Sequence, residues 1–128
     1  MDVIDNPKFE DIKRADGTSE FFDYLSGLSD KEQAKILSRI KNIEEFGIQI
    51  AQQNQWVAYL DDNLYEIRSR VGNSQQREIY FRLEQNVYKI THGFIKKTKK
   101  TPPKELRHAQ EVKKRFLKDW QKQKGSND

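Results

Sequence analysis

The sequence predicts an α+β fold in which an N-terminal helical hairpin packs on a small antiparallel β-sheet, with a C-terminal helix after the sheet. Apolar residues recur every three or four positions before residue 47 and again after residue 101, as in amphipathic helices. Between them, residues 56–95 are rich in β-branched and aromatic side chains, which favour strands. A chain of 128 residues suits one domain, and we predict a single domain over residues 1–124 with a frayed tail over residues 125–128.

The predicted hairpin begins after the turn sequence Asp16-Gly17. Its first helix has apolar residues at helical spacing, namely Phe21, Phe22, Leu25 and Leu28. A capping box from Ser29 to Glu32 starts the second helix. The stripe that this helix buries is predicted to be Ile36, Leu37, Ile40 and Ile43. Gly47 then supplies the left-handed residue that ends the hairpin.

Four strands are predicted in the middle of the chain: residues 56–60, 64–71, 77–83 and 87–95. Their short, turn-rich connections leave no room for crossover helices, so we expect antiparallel pairing. The polar connection 72–76 is longer than a tight hairpin turn, which leaves the register between Arg70 and Arg77 open. Residues 9–13 are a further candidate for an edge strand.

A long C-terminal helix follows the predicted sheet. Thr101 and Pro102 fit an N-cap and a proline at the first helical position. The apolar stripe of this helix is Leu106, Ala109, Val112, Phe116 and Trp120. Its other face is basic, with Lys104, Arg107, Lys113, Lys114, Arg115 and Lys118. One face is therefore expected to pack on the sheet and the other to meet solvent or a polyanion.

Positive charge is concentrated near the C-terminus of the chain, which has a net charge of +4. Residues 1–62 carry 7 basic and 13 acidic side chains, whereas residues 89–128 carry 13 and 4. Such segregation attracts polyanions, which makes a nucleic acid or the ribosome the leading class of partner. A solvated, lysine-rich helix without a partner is the alternative.

Several classes of protein are excluded by what the sequence lacks. The absence of cysteine rules out a disulfide framework, a thiolate metal site and a cysteine nucleophile. With two histidines, no glycine-rich phosphate loop and no serine beside a plausible base, we predict neither a metal nor a cofactor. No basic leader followed by an apolar segment is evident, and no run approaches the ~18 apolar residues of a membrane helix. We expect a cytoplasmic protein with no membrane partner.

Side chains that can bind a phosphate concentrate on the predicted sheet and just after it. They are Arg68, Arg70, Arg77, Tyr80, His92, Lys96, Lys97, Lys99 and Lys100. Strand alternation predicts one shared face for Leu64, Glu66, Arg68 and Arg70. It predicts another shared face for Tyr88, Ile90, His92, Phe94 and Lys96.

RNA cleavage is chemistry that such residues could perform without a metal. The 2′-hydroxyl of RNA is itself the nucleophile, so the protein need only align it, exchange protons and stabilise charge. An arginine suits the negative phosphorane, and a lysine whose pKa is lowered by neighbouring cations can exchange protons near neutrality.

Structural alternatives stay open for these residues. Arg68 and Arg70 can pair with neighbouring glutamates such as Glu66 and Glu78. His92 can be a hydrogen-bonded, half-buried histidine without a chemical role.

Tyr80 also has a structural interpretation, whereas the lysine run after the last predicted strand is harder to explain in structural terms alone. Tyr80 lies between Ile79 and Phe81, which is typical of a core position, and we predict no specific role for His108. The four lysines within residues 96–100 repel one another in the absence of an anionic partner.

An ordered set of motifs links the chain to a known family: Leu64-Tyr65-Glu66-Ile67-Arg68, then Arg77-Glu78-Ile79-Tyr80-Phe81, then His92-Gly93-Phe94-Ile95-Lys96-Lys97. This set closely resembles the HigB-like, phage Gp49-like branch of the RelE/ParE toxin superfamily over about residues 9–117. The resemblance implies a toxin of a type II toxin–antitoxin system that cleaves mRNA on the ribosome. It also implies a HigA-like helix-turn-helix antitoxin that binds the toxin in a hetero-oligomer.

The resemblance also assigns roles to residues. Arg68 and Arg70 match strand positions that hold basic catalytic side chains, and Arg77 matches the arginine of an Arg-x-x-Tyr strand. Lys96 and Lys97 match a basic pair after the last strand. The predicted catalytic set is Arg68, Arg77, Lys96 and Lys97, assisted by His92 or Tyr80. The predicted RNA contacts are Arg70, Lys99, Lys100 and Lys104.

A second class of function is compatible with the same residues. The superfamily includes ParE-like toxins that block DNA gyrase by protein contact, and a basic sheet can bind a nucleic acid without cutting it. The alternative is therefore a non-catalytic gyrase poison or a nucleic-acid-binding module.

Overall fold

The structure is a computed structural model that describes residues 6–126. Its elements are β1 (Lys8–Asp11), α1 (Glu20–Ser26), α2 (Asp30–Phe46), α3 (Ile48–Gln53), β2 (Val57–Asp61), β3 (Leu64–Val71), β4 (Ser74–Glu84), β5 (Val87–Lys96) and α4 (Pro103–Ser126). Residues 127–128 of the predicted tail lie outside the described residues, as does the segment 1–5 on which the expectation about a leader depends. No helix within residues 6–126 is both long enough and apolar enough to cross a membrane.

The five strands form one mixed sheet in the order β1-β5-β4-β3-β2. Strands β2 to β5 pair antiparallel, but β1 pairs parallel with β5, with Lys8 opposite Val87. The prediction of an antiparallel sheet is therefore wrong at this edge. Parallel pairing needs a long connection, which three helices and three strands supply here.

The predicted N-terminal helical hairpin is also wrong. Strand β1 precedes the helices, and the helical segment is three helices of 7, 17 and 6 residues. Gly47 has a φ of 92° and ends α2, but the chain enters α3 at once because Ala51 is buried in the core and the partly buried Ile48 packs against it. Within this segment the capping box of Ser29 is confirmed, whereas Leu37 is half exposed.

The turn between β3 and β4 is tighter than predicted. Val71 pairs with Ser74, so the loop consists of Gly72 and Asn73 alone. Gly72 has a φ of 57°, and glycine at the first position of a two-residue hairpin loop is favourable. This turn fixes the register that the sequence left open.

Helices cover both faces of the sheet. On one face, α1, α2 and α3 enclose a core that includes Ile36, Ile43 and Ile67. We call this side of the sheet the α1–α3 face. On the other face, Ala109 of α4 packs with Phe81 in a second core. We call this the α4 face.

A β-bulge at Thr91 separates residues that alternation placed together. Ile79 pairs with His92 and Tyr80 with Ile90, so Thr91 is the extra residue of β5. Ile90 packs in the core of the α1–α3 face, whereas His92 contacts α4 on the other face. The prediction that Ile90 and His92 share a face is wrong, because a bulge reverses the alternation beyond it.

Candidate functional site

Strand register brings four predicted cations together at one end of the α4 face. Arg68 of β3 lies opposite Arg77 of β4. One step further along the strands, Arg70 lies opposite Gln75, which in turn lies opposite Lys96 of β5. We call Arg68, Arg70, Arg77 and Lys96 the cationic cluster. The face shared by Arg68 and Arg70 is as predicted.

A buried carboxylate lies among these cations. Glu66 is fully buried, and its Oε2 accepts a hydrogen bond from Nε of Arg68 at 2.8 Å. The same oxygen is 3.6 Å from Nε of Arg77. A buried carboxylate is costly unless it is paired, so these three residues depend on one another. The alternative in which Arg68 pairs with Glu66 is thus confirmed, and it coexists with the cluster.

The second oxygen of Glu66 connects the cluster to α4. Glu66 Oε1 accepts a hydrogen bond from the hydroxyl of Thr101 at 2.9 Å. The prediction that Thr101 caps the helix and Pro102 starts it is wrong, because this hydroxyl is used by the sheet. Helix α4 begins instead at Pro103, which fits the preference for proline at the first helical position.

The arginines of the cluster differ in what they can offer to a ligand. Arg77 is buried, and its terminal nitrogens donate to the carbonyl of Gln76 at 2.9 Å and to the side chain of Gln75 at 3.1 Å. The side chain of Arg68 is 34% exposed and uses only Nε for its hydrogen bond to Glu66. Among residues 6–126, its two terminal nitrogens have no hydrogen-bond partner, so they can meet a phosphate.

Lys96 lies at the partly exposed edge of the cluster. Burial lowers the pKa of its ammonium group, the nearby Glu66 raises it, and Arg77 and Arg68 lower it further. The direction matches what was expected of a lysine among cations. The main cause is burial, however, and the neighbouring charges are secondary.

The lysine run extends the cluster onto the surface. Lys97 and Lys99 line an open depression of about 600 Å³ together with Lys96 and the turn residues Asn73 and Ser74. Among residues 6–126, no carboxylate lines this depression. The other two predicted RNA contacts, Lys100 and Lys104, are exposed beyond it, where the chain enters α4.

His92 is buried on the α4 face and takes part in fastening the helix. Its Nε2 is 3.1 Å from Oε1 of Glu105, and its Nδ1 is 3.0 Å from the hydroxyl of Thr91. Burial lowers its pKa, which the Glu105 hydrogen bond partly offsets. With 5% of its surface exposed, His92 has no direct access to a substrate.

His108, for which no role was predicted, joins two helices. Its ring packs edge to face against the ring of His92, with centroids 4.7 Å apart. Its Nε2 is 2.6 Å from Oε1 of Glu20, the first residue of α1. The expectation for His108 is therefore corrected, and the role is structural.

Tyr80 lies on the opposite face from the cationic cluster. It is buried, and its ring contacts Phe9, Tyr65 and Tyr88 at centroid distances of 5.1, 5.5 and 5.6 Å. Burial raises the pKa of its hydroxyl. Residues three apart on a strand point to opposite faces, so the alternation from Arg77 already separates the two. Tyr80 cannot assist at the cluster, and its interpretation as a core residue holds.

Residues 6–126 contain no group of three or more histidine, cysteine, aspartate or glutamate side chains placed to hold a metal ion. No curated protein matches the chain. The family model described as "Phage derived protein Gp49-like (DUF891)" matches residues 23–114, which include the whole cationic cluster, Glu66 and Thr101. The chain therefore belongs to the Gp49-like family of phage-derived proteins, a RelE-like family of toxins from toxin–antitoxin systems, and this membership implies an antitoxin partner.

Proposed function

We propose that the protein is a HigB-like toxin of a type II toxin–antitoxin system and acts as an endoribonuclease on mRNA bound to the ribosome. The observation that carries this proposal is the convergence of Arg68, Arg77 and Lys96 at one open end of the α4 face. Cations held together in this way, beside an exposed lysine run, suit a phosphate ligand.

The scissile phosphate binds at Arg68. Two terminal nitrogens of one guanidinium group can donate to two oxygens of the same phosphate, a geometry that a lysine cannot reproduce. Arg77, held by Gln75 and Gln76, adds positive charge from within the sheet. Lys97 and Lys99 contact the neighbouring phosphates along the open depression.

The reaction needs no metal because RNA supplies the nucleophile. The 2′-oxygen attacks the adjacent phosphorus and forms a P–O bond while the bond to the 5′-oxygen of the next nucleotide breaks. Lys96, in its neutral form, takes the proton of the 2′-hydroxyl and then returns it to the leaving 5′-oxygen. Arg68 and Arg77 stabilise the negative charge of the phosphorane. The products are a 2′,3′-cyclic phosphate and a 5′-hydroxyl.

His92 and Tyr80 have no step in this proposal because both are buried. The exposed cations of α4 contact ribosomal RNA, and they include Lys104, Arg107, Lys114, Arg115 and Lys118. Lys113 is different, since its ammonium group lies over the ring of Phe81. A HigA-like helix-turn-helix antitoxin, bound in a hetero-oligomer in the cytoplasm, keeps the toxin inactive.

Primer extension on a reporter mRNA tests this function directly. The purified protein is added to a reconstituted translation system, with and without ribosomes engaged on the message. We expect new 5′ ends that appear only during translation. Cutting of naked RNA would remove the ribosome dependence, whereas no cutting, with DNA damage in expressing cells, would support a ParE-like gyrase poison instead.

A further inference from the structure

We propose that Glu66 is a positioning residue of the cationic cluster, which aims the guanidinium group of Arg68 and joins it to the start of α4 through Thr101. This inference rests on the proposed endoribonuclease function. It assigns Glu66 no contact with the RNA and no proton transfer.

Three structural segments meet at this one carboxylate. Oε2 is shared by Arg68 of β3 at 2.8 Å and Arg77 of β4 at 3.6 Å, and Oε1 accepts the hydroxyl of Thr101, just before α4, at 2.9 Å. Each Glu66 oxygen therefore has a partner. The carboxylate holds both arginines and the segment that follows the lysine run in one arrangement.

The contact with Arg68 determines which atoms face the substrate. Because Glu66 accepts from Nε, the side of the guanidinium group that carries the two terminal nitrogens points away from the carboxylate. An arginine side chain loses about 2 kcal/mol of rotamer entropy when it is fixed. Fixing it in the free protein removes that cost from phosphate binding.

The repulsion among the neighbouring cations is a second reason for a carboxylate at Glu66. Arg68, Arg77 and Lys96 place three positive charges close together, and Glu66 is the negative group that contacts two of them. It lets the cations stay together without a ligand and still leaves positive charge in excess. That excess suits a phosphate whose negative charge grows as the 2′-oxygen attacks.

Stability alone does not explain a carboxylate at this position. Glu66 is fully buried and pairs with Ile79 on β4. It lies two residues after the core residue Leu64, on the same face of β3. Replacing a buried ion pair with apolar residues is often neutral or stabilising. A charged residue among these core-facing positions therefore points to a role for Arg68, the arginine that it positions.

The test compares Glu66→Gln with Thr101→Val. The first variant keeps the size of the side chain and an acceptor for Thr101 but removes the negative charge. The second removes only the Thr101 hydrogen bond and leaves Glu66 on Arg68. Single-turnover cleavage on ribosomes, the Kd for ribosomes and the thermal midpoint Tm are measured for both variants and for the wild type.

We expect Glu66→Gln to lower the cleavage rate at saturating ribosomes by about 100-fold, because a misplaced catalytic group can cost that much. The Kd should stay within about threefold, since the exposed lysines that carry most phosphate contacts are unchanged. Thr101→Val should cleave several times faster than Glu66→Gln. Because Glu66 faces Lys96 together with Arg68 and Arg77, its loss should also shift the rate–pH profile to lower pH.

Glu66→Gln that cleaves at the wild-type rate with the wild-type pH profile would overturn the inference. Equal losses of rate and of Tm in both variants would also overturn it, because they would show a role in stability alone. Absence of cleavage by the wild type would overturn the proposed function first and this inference with it.

Discussion

Two glutamates on neighbouring strands are both fully buried, but cations compensate the charge of one while the other is mostly neutral. Glu66 of β3 lies on the α4 face, where Arg68 and Arg77 compensate its charge. Glu78 of β4 lies on the α1–α3 face, where the hydroxyl of Tyr24 donates to its Oε2 at 3.0 Å. Its Oε1 has no hydrogen-bond partner among residues 6–126. Burial raises the pKa of Glu78 to about 8, so this carboxyl is mostly neutral at pH 7.

This difference shows that one face of the sheet encloses a neutral carboxyl in close packing, while the other face holds paired charges near solvent. On the α1–α3 face, the ring of Tyr24 lies so close to Gly93 that a Cβ there would be 2.3 Å from ring atoms. Gly93 is the register partner of Glu78, so the neutral carboxyl is enclosed. At the same end of the α4 face, Arg68 reaches solvent. At this end of the sheet the Tyr24 ring closes the α1–α3 face, whereas the Arg68 side chain on the α4 face stays partly exposed.

Disturbing the packing of Tyr24 on the α1–α3 face should have the largest effect on stability. Gly93→Ala forces the Tyr24 ring away and should lower the free energy of unfolding by about 3 kcal/mol, as overpacking of a core does. Urea unfolding measures this change. Gly125→Ala is the matched control, because its Cβ would meet nothing within 4 Å. Equal stability of the two variants would show that Tyr24 is not packed on Gly93.

Making Glu78 permanently neutral should change how stability depends on pH. The folded-state pKa of about 8 lies above the ordinary value of 4.5, so the contribution of Glu78 is fully present below pH 4.5 and is lost as the pH rises through 8. Between pH 4.5 and 8, the free energy of unfolding of Glu78→Gln should therefore rise relative to that of the wild type by on the order of 1 kcal/mol per pH unit. Unfolding at a series of pH values measures it, with the exposed Glu111→Gln as control. Parallel curves for Glu78→Gln and the wild type would contradict the assignment.

The open face should tolerate change with the smallest loss of stability. Arg68→Ala removes one hydrogen bond to Glu66, while Arg77 and Thr101 remain next to that carboxylate. We expect the free energy of unfolding to fall by about 1.5 kcal/mol, the lower end of the range for a hydrogen bond to a charged group, because Arg77 still compensates the carboxylate. The same urea experiment checks it. A loss as large as that of Gly93→Ala would mean that Arg68 serves the fold first.

Much of this arrangement could be predicted from the sequence, because it depends on local patterns. Periodicity located α1, α2, α4 and strands β2 to β5 but missed α3, and the capping box was predicted from the sequence Ser29 to Glu32. Alternation placed Arg68 and Arg70 on one face. The same rule, applied from Arg77, would have removed Tyr80 from the site.

The remaining features depend on contacts between distant segments. The parallel pairing of β1 with β5 and the bulge at Thr91 have no local signature, and the bulge moved His92 to the other face from Ile90. Glu66 shares its strand face with Arg68, so its place was predictable. Its burial and its bond to Thr101 were not, because they depend on where α4 packs.

In the proposed function, the open end of the α4 face cleaves RNA through Arg68. The most direct test is the rate of mRNA cleavage on translating ribosomes for the wild type, Arg68→Ala and Arg82→Ala. Arg82 is an exposed arginine of β4 that donates to the carbonyl of Glu84, outside the cationic cluster. Arg68→Ala should lose about 100-fold or more in rate, as when one donor to a developing negative charge is removed, and Arg82→Ala should cleave like the wild type. Equal rates for all three proteins would contradict the claim.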